Sequence, residues 1–112
     1  MTLTSGTVAY KPIPGWTIPA SYASGTHAMT KGLALDLAPV RVNLISPGAV
    51  DTTLWAHMEE GERKKLFEEM GKRTTTGRVG DSRDVAEAYL YAMRDWNLSG
   101  ADISTNGGGL LK

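Results

Sequence analysis

The residues with the most chemical promise gather around a break in an apolar run. Val40-Arg41-Val42-Asn43-Leu44-Ile45 is too short and too β-branched for a helix, so it reads as a buried strand. Ser46-Pro47-Gly48-Ala49-Val50-Asp51-Thr52 follows at once, and Pro47-Gly48 breaks the strand. Other reactive groups are sparse. The chain has no cysteine, which excludes disulfide and thiolate chemistry. Its two histidines, His27 and His57, show no ligand-like clustering, so no zinc site is expected. His27 sits in the middle of a helical stretch and reads as a surface or interface residue. His57 lies in a charged, lid-like segment and is placed to meet a ligand. Tyr10 and Lys11 are adjacent in a loop, so they share no helical face. Tyr22 is helical, but a phenol with an ordinary pKa of about 10 is a poor proton donor or acceptor at neutral pH. Trp16, Trp55 and Phe67 suit either an apolar pocket or an ordinary core.

The elements that must hold these residues follow from patterning. Thr2-Leu3-Thr4 reads as the end of a strand that begins abruptly at Met1. Gly6 to Trp16 is a loop punctuated by Pro12, Pro14 and Gly15. A helix is expected from Ala20 to about Leu37, with Tyr22, Met29, Leu33 and Leu37 as its apolar stripe. Ser21, Gly25, Ala28 and Gly32 form a second stripe of small residues, which would let another helix come close. Pro39 ends the helix. Thr52 or Thr53 is placed to cap a short helix carrying Leu54, Trp55 and Met58. Glu59 to Met70 is a charged helix whose apolar residues are Leu66, Phe67 and Met70. Asp81 or Ser82 caps a further helix, with Val85, Tyr89, Ala92, Met93 and Trp96 as its stripe. Ala101 to Thr105 is a last strand, followed by Asn106 and three glycines. The resulting β-α-β-(αα)-α-β order implies a parallel sheet.

Composition narrows the class of molecule. The 112 residues carry 12 basic and 12 acidic side chains, so no charge excess favours nucleic acid or an acidic membrane surface. No apolar run is long enough to span a bilayer, and no signal peptide opens the chain. A soluble, cytoplasmic protein is the expectation. Thirteen glycines add to the entropy lost on folding a modest core, so burial against a partner would help.

Four segments, in order, resemble the short-chain dehydrogenase/reductase family. Leu3-Thr4-Ser5-Gly6 looks like the strand end that carries the family's serine. Residues 32–52 are similar to its helix, strand and nicotinamide loop. Residues 77–87 look like the entry to its last large helix, and residues 99–109 like its final strand and glycine tail. The resemblance implies an α/β fold: a partial Rossmann-like α/β/α unit with about three parallel strands, neighbours at one side of the family's sheet. Residues 1–112 then form one truncated domain with a helical, lid-like insertion at 53–76. It implies a nicotinamide cofactor, NAD(P), met by Pro47, Gly48, Val50 and Thr52. Ser5 and Tyr22 are the catalytic candidates, and Trp55 and His57 the substrate-pocket candidates.

The resemblance covers only the second half of a typical member. The glycine-rich turn that cradles a diphosphate has no counterpart. The family's tyrosine and lysine stand four apart on one helix. Counting back from Leu33-Ala34-Leu35-Asp36-Leu37 puts those slots at Pro19 and Ala23. Sliding Tyr22 into place would delete three helical residues and pair it with Thr26. Three readings stay open. The first is an oxidoreductase unit acting on a small apolar carbonyl or alcohol once a missing half or partner completes it. The second is a cofactor-independent isomerase, cyclase or lyase. The third is a non-catalytic relative that associates, as a homo-oligomer or with a fuller family member, through the helix of Ser21, Gly25, Ala28 and Gly32.

Overall fold

A computed structural model describes all 112 residues. Strand β1 (Thr2–Thr4) leads through a 3-10 turn at Thr7–Ala9 to helix α1 (Thr17–Asp36) and strand β2 (Asn43–Pro47). Strand β3 (Val50–Asp51), a 3-10 turn at Thr53–Trp55 and helix α2 (Glu60–Lys72) follow. The chain closes with strand β4 (Gly80–Asp81), helix α3 (Ser82–Arg94) and strand β5 (Asp102–Thr105). The main sheet is parallel in the order β1-β2-β5, with Leu3 beside Leu44 and Ile45 beside Ile103. The expected three neighbouring strands are therefore present, and β1 is an edge with no further strand of this chain beside it. A second, two-stranded sheet pairs β3 with β4, which no sequence pattern announced.

Alternation along β2 creates the layers. Ile45 faces α3 and packs in a cluster with Val85 and Ala92. Its neighbours Leu44 and Ser46 point the other way, toward α1 and Asp102. Val42, Asn43, Leu44, Ile45 and Ser46 are all fully buried. Asn43 satisfies its buried amide by donating to the Leu98 carbonyl (2.8 Å) and accepting from the Ala101 amide (3.2 Å).

Helix α1 begins three residues earlier than expected, because Pro19 falls in its first turn, where a missing N–H costs nothing. Its buried face also differs from the expected one. Ala20, Ala23, Thr26 and Thr30 face the sheet, while Tyr22 is 75% exposed and Met29 and Leu37 also face outward. Small side chains let the helix lie close to the strands. The Thr26 and Thr30 hydroxyls donate to the carbonyls of Tyr22 and Thr26, so they are buried without penalty. On α3, Val85 and Ala92 are buried as expected, but Met93 and Trp96 are not. Arg41 explains the end of that helix. Its guanidinium donates to the carbonyls of Ala92 (2.9 Å), Met93 (2.8 Å) and Leu98 (3.1 Å), and lies 5.6 Å from the Trp96 ring centroid. Trp96 therefore stacks on a cation at the surface instead of entering the core.

Only 12 of the 112 residues are buried, and Ile18, Leu35, Trp96 and Leu111 are among the large apolar side chains left outside. The radius of gyration, 15.1 Å, exceeds the about 13 Å expected of a compact domain this size. The fold thus offers extensive apolar surface for covering. No helix is long and apolar enough to cross a membrane.

Candidate functional site

The loop after β2 is held on several sides. The Gly48 amide donates to the Thr105 carbonyl (3.0 Å), and the Gly80 amide donates to the Ala49 carbonyl (2.9 Å). The Trp55 indole donates to the Val50 carbonyl (2.9 Å), and the Thr52 hydroxyl accepts the Leu54 amide (3.3 Å). Thr52 is the cap, as one of the two expected, although the helix it opens is a short 3-10 turn. Gly48 is required by close approach: a Cβ there would lie 2.9 Å from the Asn106 Cα. Trp55 also meets Phe67 edge-on, with ring centroids 5.8 Å apart. His57, exposed, bonds through Nδ1 to the Leu54 carbonyl (3.0 Å). Both side chains thus brace the lid to its own backbone.

Ser5 lies at the end of β1, and its hydroxyl donates to the Ala23 carbonyl (3.0 Å). That places the serine beside the expected lysine slot, where Ala23 is buried and carries no titratable group. Pro19, in the tyrosine slot, carries none either. Tyr22 projects from the outer side of α1, so the structure does not bring it together with Ser5.

Apart from Gly48, the pocket beside the loop is built from residues not expected at the site. Its volume is about 330 Å³. Gly48 and Ala49 form its floor, Lys11, Pro12, Ile13 and Pro14 one wall, Met70 of α2 and Arg73 at its C-cap another, and Leu110 the end. Trp55 and His57 do not line it. No local pattern flags such a cleft, because its walls come from segments up to about a hundred residues apart.

The wall carrying Lys11 is anchored by a polar network. Tyr10 donates its hydroxyl to Asp102 Oδ2, Ser46 donates to Asp102 Oδ1 (2.7 Å), and His27 Nδ1 lies 3.2 Å from both Asp102 Oδ2 and the Tyr10 oxygen. Two hydroxyls thus donate to one half-buried carboxylate, and the His27 ring bonds to the Tyr10 hydroxyl beside it. His27 Nε2 is buried with no partner, so an imidazolium there would strand a charged N–H. Burial first, and the Lys31 ammonium second, hold the imidazole below its ordinary value of 6.5 despite the nearby carboxylate. Burial pushes Asp102 up from its ordinary 3.8. An acidic residue in a strand read as buried was the available sequence signal for this network.

The sign of the pH dependence follows. Unfolded His27 binds a proton more readily than the folded chain does, so its contribution is complete above pH 6.5 and is lost as pH falls through the lowered folded value. Asp102 acts oppositely: its contribution is present below 3.8 and is lost as pH rises through the raised value. Urea unfolding of the chain and of His27→Gln between about pH 5 and 7 checks the first term. The slope of stability against pH is expected to flatten in the variant. An unchanged slope would assign it to another group.

A dinucleotide requires a helix N-terminus whose free amides face the diphosphate. Helix α2 opens with Glu59, Glu60 and Glu62, and α3 with Asp81 and Asp84. Asp81 already accepts the Arg83 amide (2.8 Å), and its bonds to Arg83 hold the carboxyl at about 2, a fixed negative charge. Helix α1 carries Pro19 in its first turn. Gly107 and Gly108, both at positive φ, pack on Thr74–Thr76, where the Thr75 amide and hydroxyl donate to the Gly107 carbonyl (2.8 and 3.0 Å). Helices α2 and α3 thus open on carboxylates, which disfavours a diphosphate at either N-terminus.

Comparison with known proteins agrees with this architecture. A family model described as an SDR-like Rossmann domain matches residues 1–112. The short-chain dehydrogenase/reductase malC of Malbranchea aurantiaca is 42% identical over 111 residues, covering 99% of this chain and 42% of that protein. The solved structure of MalC reductase/Diels-Alderase from the same organism superposes with a TM-score of 0.94, covering 99% of this chain and 43% of that one. A small-chain dehydrogenase in complex with NADPH, 36% identical, gives a TM-score of 0.93 over 99% of this chain and 51% of its own. The chain therefore spans about half or less of these relatives' lengths. This chain belongs to the short-chain dehydrogenase/reductase family.

Proposed function

We propose that the chain forms the nicotinamide-and-substrate side of a family oxidoreductase site acting on a small apolar carbonyl or alcohol. In this reading the diphosphate side comes from another half or another chain. The observation that carries it is the Pro47–Thr52 loop, rigidly bonded at the end of the central strand and flooring a cleft of about 330 Å³. A relative that covers nearly all of this chain holds NADPH, which supports NAD(P) as the cofactor. That cofactor's nicotinamide would supply or accept the hydride. The chain's own part is to floor the cleft and hold its walls. With Pro19 and Ala23 in the tyrosine and lysine slots, the proton must come from another group. Fusing the chain to a family dinucleotide-binding half tests the reading. NADPH oxidation with small apolar ketones or aldehydes is expected, and a folded fusion that neither binds nor oxidises NADPH overturns it.

A second reading is favoured by one observation. The 42% identical relative of known structure is called a reductase and a Diels-Alderase, so a scaffold similar to this one is named for ring formation as well as redox work. A cofactor-free cyclisation or isomerisation in the same cleft would dispense with the absent tyrosine–lysine pair.

For assembly, we propose the stripe of Ser21, Gly25, Ala28 and Gly32 as the approach surface for a helix of a second copy or of a fuller relative. A Cβ at Gly25 or Gly32 meets nothing within 4 Å inside the chain. Leucine at either position is thus expected to leave the fold intact and to reduce assembly size in light scattering. Unchanged size would remove the assignment.

A further inference from the structure

The charges around the cleft beside Gly48 are unbalanced. Lys11 and Arg73 line it, and no aspartate or glutamate does. The neighbouring cleft between α2 and residues 77–79 is different: Arg63, Lys64 and Arg78 face Asp51, Glu60 and Glu68 there. The cavity at Tyr10 and His27 likewise sets Lys31 against Asp102. The chain as a whole is neutral, so a cleft lined by two cationic side chains and no acidic one is a local feature.

One of the two cations is placed to take a ligand. The Lys11 ammonium is already engaged by the Gly109 carbonyl (3.5 Å) and by the terminal oxygen of Lys112, the last residue of the chain. The Arg73 guanidinium makes no hydrogen bond or ion pair with any side chain. Glu69, one turn before it on α2, is lowered partly by Arg73, but its carboxylate is bonded to Lys72 at 2.5 Å. Ile13, Met70 and Leu110 supply an apolar lining between the two cations. A guanidinium with free donors matches a planar carboxylate, and the apolar lining matches a ring or chain behind it.

We propose that this cleft binds an apolar molecule carrying a carboxylate, with Arg73 as the residue that determines the preference. As a statement about substrate class, this rests on the cleft being the substrate side of the family site. As a statement about binding, it needs no nucleotide.

The test uses the whole chain, with naphthoate as the anionic probe and naphthaldehyde as its neutral counterpart. Binding is read from the amide NMR shifts of Gly48, Ala49 and Thr74. Naphthoate is expected to bind about tenfold more tightly than naphthaldehyde at low salt, and the preference should shrink in high salt. Arg73→Gln should abolish the preference. Lys64→Gln, which removes a cation from the neighbouring cleft, should leave it unchanged. Equal affinities, shifts confined to other residues, or an equal loss in Lys64→Gln overturn the proposal. Inorganic phosphate that competes as well as naphthoate also overturns it, because the apolar lining would then contribute nothing. A chain that selects naphthoate while its fusion fails with NADPH supports this site and removes the redox reading. A working fusion with no preference for naphthoate removes this site alone.

Discussion

Replacing Asn43 by alanine is expected to cost about 3 kcal/mol of unfolding free energy. The side chain is fully buried in the central strand and joins β2 to the turn that launches β5. Truncation leaves the Ala101 amide without an acceptor, whereas the Leu98 carbonyl keeps its bond from Arg41. The orphaned amide costs about 1–3 kcal/mol, and the cavity adds to that. Domains of this size have about 5–15 kcal/mol in total, so the loss takes a large share of what holds the sheet beneath the cleft. Asn97→Ala, at an exposed position, should shift stability by no more than about 0.5 kcal/mol. Urea unfolding of both variants measures the contrast. Similar midpoints would mean that the Asn43 bonds do not hold the turn.

Asp102→Leu is the second large effect. Two hydroxyls, those of Tyr10 and Ser46, donate to this carboxylate, and His27 Nδ1 lies 3.2 Å from it. Leucine leaves both hydroxyls without this acceptor, although it also removes the cost of burying a carboxylate that burial already pushes up. Tyr10 is half exposed and its hydroxyl can rehydrate, so the net loss is expected to be about 2 kcal/mol. The more specific result is local. Tyr10 is the anchor of the loop that presents Lys11, Pro12, Ile13 and Pro14 to the cleft. Hydrogen exchange across residues 7–16 should accelerate more than exchange in β2 or α3. Uniform acceleration over the whole chain would mean that Asp102 supports the sheet generally and does not anchor the loop. Asp102→Asn keeps an acceptor and should lie between wild type and leucine in both measurements.

The strands, the order of helices and the caps were legible because their signals are local. Val40 to Ile45 read as a buried strand, and β2 holds its second half from Asn43 while Val40 stays half exposed; Asp81 stands where α3 needs an acceptor, and Pro47-Gly48 ends β2. The buried face of α1 was not legible from hydrophobicity. Ala20, Ala23, Thr26 and Thr30 bury by being small and self-bonded, while Tyr22 and Met29, the more apolar residues, remain outside. The pairing of β3 with β4 involves two residues a side, too few to show a period. The site divides in the same way. The 46–52 loop was visible as a motif. The Lys11–Arg73 cleft and the Tyr10–Asp102 bond join segments about 60 and 90 residues apart, and only the fold brings them together.

The most direct test of the central claim is a fluorescence titration of the purified chain with NADH and NADPH, beside its fusion to a dinucleotide-binding half. The account predicts no saturable binding by the chain alone, because α2 and α3 open on carboxylates that repel a diphosphate and α1 carries proline in its first turn, and saturable binding by the fusion. Saturable binding by the 112-residue chain would contradict it, since a complete nucleotide site would then exist in residues assigned here to one end of one.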